Sequence, residues 1–197
     1  MVETNHWFQP AEFHARLARV QQALRAKGYD ALLAFMPESV TWITGYFTRG
    51  YGTFQLAIVP ASGDPTVICR DVEAYYLDST CLFPDRVLWA DSDAPVVVAA
   101  DSIRARLGAA PKLAVELAAW PLSVARYEGL RAALPGAAWH DESRLVTEMR
   151  FIKSPAEVAY QRRAARAAEA GMQAAIDTAK AGNSEREMAA EICAAMI

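Results

Sequence analysis

A chain of 197 residues, 53% hydrophobic and 22% charged, is long enough for one globular domain of ordinary size plus a smaller piece, and too apolar to be disordered. Its formal net charge of −3, with the Arg residues scattered along the chain, excludes a general electrostatic attraction to nucleic acid or to an anionic membrane. Cys69, Cys81 and Cys193 are odd in number and lack a Cys-x-x-Cys spacing, so reduced structural thiols are expected rather than a disulfide framework or a zinc knuckle.

Residues Met1 to Phe8 show neither the basic start nor the apolar run of a signal peptide, and the longest strongly apolar run, Pro95 to Ala100, is far shorter than the roughly 20 residues that span a bilayer. A soluble, cytoplasmic chain is the expectation. The spacing of Phe13, Leu17, Val20 and Leu24 predicts an amphipathic helix over Pro10 to Lys27, with Arg16 and Arg19 off its apolar face and Gly28 stopping it. Asp30 to Phe35 reads as a short buried strand. Pro37 to Gly45 reads as a short helix, with Trp42 in the core.

Phe47 to Gly52, with Gly50 and Gly52, is expected to be an exposed loop. Two β-rich runs, Thr53 to Val59 and Thr66 to Arg70, flank a cluster of turn residues from Pro60 to Pro65 and predict a hairpin. Further along, Asp71 is read as the cap of a helix over Val72 to Asp78, and Arg86 to Ala90 as a strand. Asp93 precedes a helix over Ala94 to Leu107 with Val97, Ile103 and Leu107 on its apolar face. Lys112 to Leu117 is a strand candidate, Pro121 to Leu134 a helix, Ala137 to His140 an edge strand, and Asp141 the cap of a helix carrying Leu145, Val146 and Met149. A hairpin set among alternating strands and helices predicts an α/β fold with a mixed sheet flanked by helices.

The character of the chain changes at Arg150 to Glu157. Pro155 disfavours helix at Ser154 but suits the first position of a new one, and Ser154 with Glu157 forms a capping-box pattern. Beyond it the chain is Ala-rich and helical to Ala181. Gly182 and Asn183 break it, and Ser184 with Glu187 repeats the capping pattern before a last helix whose apolar face carries Met188, Ile192 and Met196. Residues 1–150 are therefore expected to form one domain, and 151–197 a hinge and the opening helices of another.

No histidine has a second His or a carboxylate at ligand spacing, so none of His6, His14 and His140 is expected to hold a metal. Asp91-Ser92-Asp93 lacks the Gly and distal Glu of a calcium loop, and Gly50-Tyr51-Gly52 lacks the residues of a phosphate loop. The candidate binding residues are Tyr46, Arg49 and Tyr51: a guanidinium between two Tyr on a Gly-rich loop offers a carboxylate fork and stacking faces.

Two stretches, Trp42-Ile43-Thr44-Gly45-Tyr46 and Arg150-x-Ile152-Lys153-Ser154-x-x-Glu157, resemble elements of the creatinase, prolidase and aminopeptidase P family of pita-bread metallohydrolases. The resemblance implies a creatinase-like amino-terminal domain, followed by the first helices of a pita-bread domain that is truncated at Ile197. It also implies a parent hydrolase, of Xaa-Pro dipeptidase or creatinase type. Its divalent metal pair (Mn, Co or Zn) would be held beyond Ile197, and none would be held here. The substrate would be a small peptide or a guanidino or amidino acid, and the parent a homodimer in which the amino-terminal domain covers the catalytic cleft. The alternative is a non-catalytic peptide- or protein-binding module of the same fold.

Overall fold

The computed structural model describes residues 7–197, which fall into two compact units divided after Met149. The first is a three-layer α/β unit. In chain order it runs α1 (Pro10–Lys27), β1 (Ala31–Ala34), α2 (Pro37–Thr44), β2 (Leu56–Pro60), β3 (Thr66–Arg70), a 3-10 turn (Asp71–Glu73), α3 (Ala74–Thr80), β4 (Arg86–Trp89), α4 (Pro95–Leu107), β5 (Lys112–Val115), α5 (Val124–Ala133), β6 (Ala138–Asp141) and α6 (Leu145–Phe151), the last crossing the division. One six-stranded sheet has the order β4-β3-β2-β1-β5-β6. Strand β2 is antiparallel to both neighbours, and the remaining pairs are parallel. The sheet is thus mixed and flanked by helices, as the sequence predicts.

The apolar runs of the central strands are continuous because both faces of the sheet are covered. Leu32, Ala34, Ala57, Val59, Val67, Cys69 and Ala114 join Phe13, Leu17, Ile43 and Val146 in one core. Their alternating neighbours Ala31, Leu33, Leu56, Ile58, Ile68, Leu113 and Val115 join Ala99, Ile103 and Leu130 in the other. Residue parity therefore assigns each strand side chain to the α1/α2 layer or to the α4/α5 layer.

Several local expectations change once the tertiary partners are in place. Arg16 is buried, 4% exposed, although its charge places it off the apolar face. Its guanidinium lies 4.2, 5.3 and 5.2 Å from the ring centres of Phe8, Phe13 and Trp42, donates to the Trp42 carbonyl at 3.2 Å and pairs with Glu12 at 2.7 Å. An aromatic cage with a hydrogen-bonded cation replaces solvent there.

Asp71 and Asp141, expected to cap helices, do other work, as does Asp93 before α4. Asp71 lies inside the 3-10 turn and accepts from the Val72 amide, Asp93 accepts from the Ala90 amide, and Asp141 ends β6 and accepts from Ser143. Thr53 to Gln55 remain loop, because β2 pairs only from Leu56. In α4 the exposed Val97 gives way to Ala99, Ala100 and Ile103 as the buried face, and α5 starts only after Ser123, with Ala125 exposed.

A single buried carboxylate locks the centre of the sheet. Glu116, fully buried just past β5, accepts the amides of Phe35 and Met36 at 2.9 Å each and the Ser39 hydroxyl at 2.6 Å. The two amides lie just before α2 and Ser39 in its first turn, so the negative charge also faces the positive end of the helix dipole. Removing it leaves two amides and a hydroxyl unpaired in the interior. We expect Glu116→Ala to cost roughly 3–5 kcal/mol and Glu116→Gln distinctly less, read from urea unfolding midpoints at constant slope. Equal, small losses for both would show that the carboxylate is dispensable.

The thiols divide by environment. Burial lifts the Cys69 and Cys81 thiols to about 11, whereas Cys193 is exposed. Cys193 should react first with a thiol reagent in the native protein at pH 8, with Cys69 reacting only on unfolding. Because the folded state keeps the buried thiols protonated, their contribution to stability is present below about pH 8.5 and lost as pH rises towards 11. Replacing Cys69 and Cys81 with Ala should flatten that alkaline limb in a pH series of unfolding midpoints.

The second unit is a helix pair, α7 (Pro155–Thr178) and α8 (Glu185–Met196). Both expected capping boxes form: Ser154 with Glu157, and Ser184 with Glu187. The apolar face of α8, which the sequence leaves uncovered, packs on α7, where Ile192 and Met196 meet Gly171. A Cβ at Gly171 would sit 2.8 Å from Met196, so its lack of a side chain sets the closeness of the two helices. Gly171 is nonetheless the one buried residue of the pair among those described, while Met172 and Ile176 stay exposed. With so little buried surface, amides of α7 and α8 should exchange at lower opening free energies than those of β2 and β3, measured by native-state hydrogen exchange. Equal protection in both regions of a monomer would contradict this.

Candidate functional site

Strands β1 and β5 are adjacent and parallel, yet the helices that follow them lie on opposite faces: α2 contributes Val40 and Ile43 to one core, α5 contributes Leu130 to the other. At such a divergence, beyond the carboxyl ends of the strands, α/β proteins place ligands. Two loops rise at that end of the sheet here. One runs from Gly45 to Gln55 between α2 and β2, and the other from Glu116 to Ser123 between β5 and α5.

The first loop starts at Gly45, whose φ of 83° belongs to the left-handed region and where a Cβ would lie 2.7 Å from the Thr80 carbonyl. Tyr46 follows with its amide on the Thr44 hydroxyl at 3.1 Å and its carbonyl accepting from Thr41 at 2.8 Å. The Phe47 amide then donates to the Thr80 hydroxyl at 3.0 Å. Buried Thr48 donates to the buried Glu73 carboxylate, and the Gly50 amide returns to the Thr48 hydroxyl at 2.8 Å. The Gly50 carbonyl accepts from both the amide and the hydroxyl of Thr53, at 3.0 and 2.9 Å. The loop is therefore hydrogen-bonded along its length.

The loop separates the three residues singled out in the sequence. Arg49 and Tyr51 are exposed, whereas Tyr46 is buried in the core, 1% exposed. The hydroxyl of Tyr46 lies near Cys69 and Thr48 without a hydrogen bond of normal geometry, and burial pushes its ionisation far above the ordinary phenol range. Its ring cannot stack on Arg49, because packing beneath the loop favours an aromatic side chain turned inward. Arg49 has no hydrogen-bond, ion-pair or ring partner among the described residues. Tyr51 instead meets Trp120 edge-to-face, with ring centres 6.1 Å apart and an interplanar angle of 90°.

Trp120 was not anticipated. It is 55% exposed on the second loop, and the clue in the sequence was an aromatic residue between a strand and Pro121. Arg126 ties the loops together, donating to the Pro121 carbonyl at 2.6 Å while its guanidinium lies 5.4 Å from the Phe54 ring centre. At this edge of the sheet the two loops carry the unpartnered Arg49 guanidinium and the exposed rings of Tyr51 and Trp120, groups whose chemistry suits a small carboxylate with an apolar body.

The described residues do not fit a metal pair. Among them no three His, Cys, Asp or Glu side chains are grouped to share an ion. Asp91 is engaged by Arg70, whose hydrogen bond holds its carboxyl below the usual range, and Asp93 by the Ala90 amide. His14 and His140 pack against the rings of Phe83 and Tyr29, and His6 lies outside the described residues. No helix among the described residues is long and apolar enough to cross a membrane.

Residues 16–152 match the creatinase/prolidase N-terminal domain family. An uncharacterised hydrolase/peptidase of Sinorhizobium fredii is 31% identical over 94% of this chain and 50% of its own length. The ectoine hydrolase of Halomonas elongata is 26% identical over 82% of the chain and 43% of its own, and the Xaa-Pro dipeptidase of Lactobacillus helveticus 25% identical over 89% and 48%. Among solved structures, a prolidase from Thermococcus sibiricus superposes with a TM-score of 0.76 at 23% identity, over 93% of this chain and 49% of that one. The creatinase/prolidase N-terminal domain of an X-Pro dipeptidase from Streptococcus pyogenes gives 0.57 at 20% identity, over 68% of this chain and 98% of that one. The chain thus spans about half the length of the curated relatives it matches. By its sequence match and by its fold, it belongs to the creatinase/prolidase N-terminal domain family.

Proposed function

We propose that this chain serves as the amino-terminal, cleft-covering domain of a metal-dependent hydrolase that acts on small carboxylate-bearing substrates, Xaa-Pro dipeptides foremost. In this reading residues 1–150 are the covering domain and 151–197 begin a catalytic domain. The metal-dependent step belongs to that domain and to residues other than these. The observation that carries the reading is Arg49: an exposed, unpartnered guanidinium on a hydrogen-bonded loop at the carboxyl edge of the sheet, with Tyr51 and Trp120 on the same edge. The Xaa-Pro dipeptidase and ectoine hydrolase among the relatives support it.

Arg49 supplies the fork for a substrate carboxylate, Tyr51 and Trp120 its apolar wall, and Tyr46 supports the loop from below. A homodimer, in which the loop faces the partner's cleft, and a cytoplasmic location complete the proposal. In the intact hydrolase, Arg49→Ala should lower kcat/KM about ten- to a hundredfold, the loss of one charge-assisted contact. Arg49→Lys should restore only part of it, because an ammonium lacks the planar fork. The comparison is made on a substrate with and without its carboxylate. Equal losses on both would sink the role, and a change below twofold would return Arg49 to the solvated surface.

A further inference from the structure

We infer that Glu73 is a positioning residue, which fixes the loop carrying Arg49 and Tyr51 by clasping it at the residues on either side of Arg49. Glu73 closes the 3-10 turn after β3 and is 8% exposed, so its carboxylate points into the protein beneath the loop. Thr48, 5% exposed, donates its hydroxyl proton to that carboxylate and accepts the Gly50 amide through the same oxygen. Gly50 rests directly on the other side of the carboxyl group: a Cβ built there would lie 2.7 Å from the Glu73 Cδ and closer still to Oε1. One buried carboxylate thus takes Thr48 by a hydrogen bond and Gly50 by contact.

The consequence for Arg49 is geometric. With the residues before and after it drawn down onto Glu73, its own side chain has only the outward direction left, and Tyr51 emerges one residue beyond the clasp. The glycine is needed for space, since any side chain at 50 must displace the carboxylate that holds Thr48. Loss of the carboxylate and addition of a methyl group at residue 50 should therefore release the same loop. A buried hydrogen-bonded cluster of this kind changes a local opening equilibrium by roughly tenfold or more when one member is removed.

This inference rests on the reading of Arg49 given above, but part of its test does not. In the chain itself, trypsin should cleave after Arg49 at least about tenfold faster in Glu73→Ala and in Gly50→Ala than in the parent chain, with cleavage after Lys27 unchanged. Combining the two substitutions should add little, because both act on one contact. Glu73→Gln, which keeps an acceptor for Thr48, should stay near the parent rate. Unchanged cleavage in Glu73→Ala, or acceleration at Lys27 as well, overturns the clasp.

In the intact hydrolase, Glu73→Ala should lower kcat/KM by clearly more when Arg49 is present than in an Arg49→Ala background, where only the placement of Tyr51 is left to lose, a dependence that general destabilisation does not produce. Additive losses overturn positioning through Arg49. If Arg49→Ala is kinetically silent while Glu73→Ala still accelerates cleavage after Arg49, the carboxylate-binding reading fails and the clasp stands.

Discussion

Glu116 is the constraint from which the rest of the amino-terminal unit follows. An isolated carboxylate in an apolar sheet centre is unfavourable unless donors surround it, and here the donors come from another part of the chain, the turn from β1 into α2. That requirement fixes where β1 stops, where α2 starts and how β5 registers beside β1. Helix α2 is then eight residues long and ends at Gly45, which launches the loop bearing Arg49. The position of the candidate site is thus set by a charge satisfied at the sheet centre.

The same edge of the sheet gathers further polar clusters of the unit. Arg70 and Asp91 close the ends of β3 and β4, Glu73 supports the Gly50 loop, and Asp141 with Ser143 turns the chain out of β6. Most of these groups answer one another. Arg49 stands apart because its neighbours bind the backbone on either side of it and leave the guanidinium exposed. A rigid support with an unpaired charge at its tip is an arrangement suited to binding, since little side-chain and loop entropy remains to be lost on contact.

What the sequence made legible was local. Both capping boxes are written within four residues, the hairpin within its turn cluster, and the first helix in its 3.6-residue period, so each could be read without knowing the fold. The alternation of the central strands was hidden because both faces are buried, and the runs read simply as apolar. Asp71 and Asp141 look like caps in the sequence because a carboxylate before a helix looks the same whether it meets the helix or a neighbouring turn. Glu73, Glu116 and Trp120 are illegible for one reason: their partners are 25, 77 to 81 and 69 residues away in sequence, and only the topology brings them together; for Arg16 the same holds of Trp42, 26 residues on, which closes a cage that Phe8, Glu12 and Phe13 begin locally. Of the candidate residues, Arg49 and Tyr51 followed from loop composition, but nothing in the sequence marks Tyr46 as the one that turns inward.

The reversed direction of β2 decides which end of the molecule the candidate site occupies. A chain leaving β1 at the carboxyl edge must, to enter a parallel neighbour, travel the full height of the sheet and begin again at the opposite edge. Because β2 runs the other way, the chain begins it where β1 ended, and everything between them stays at one edge. The short helix and the Arg49 loop are what fills that return. In a sheet with β2 parallel, the same residues would be stretched along one flank as a crossover, and Arg49 and Trp120 would have no common edge to share. One antiparallel strand in an otherwise parallel sheet converts a connection into a rim.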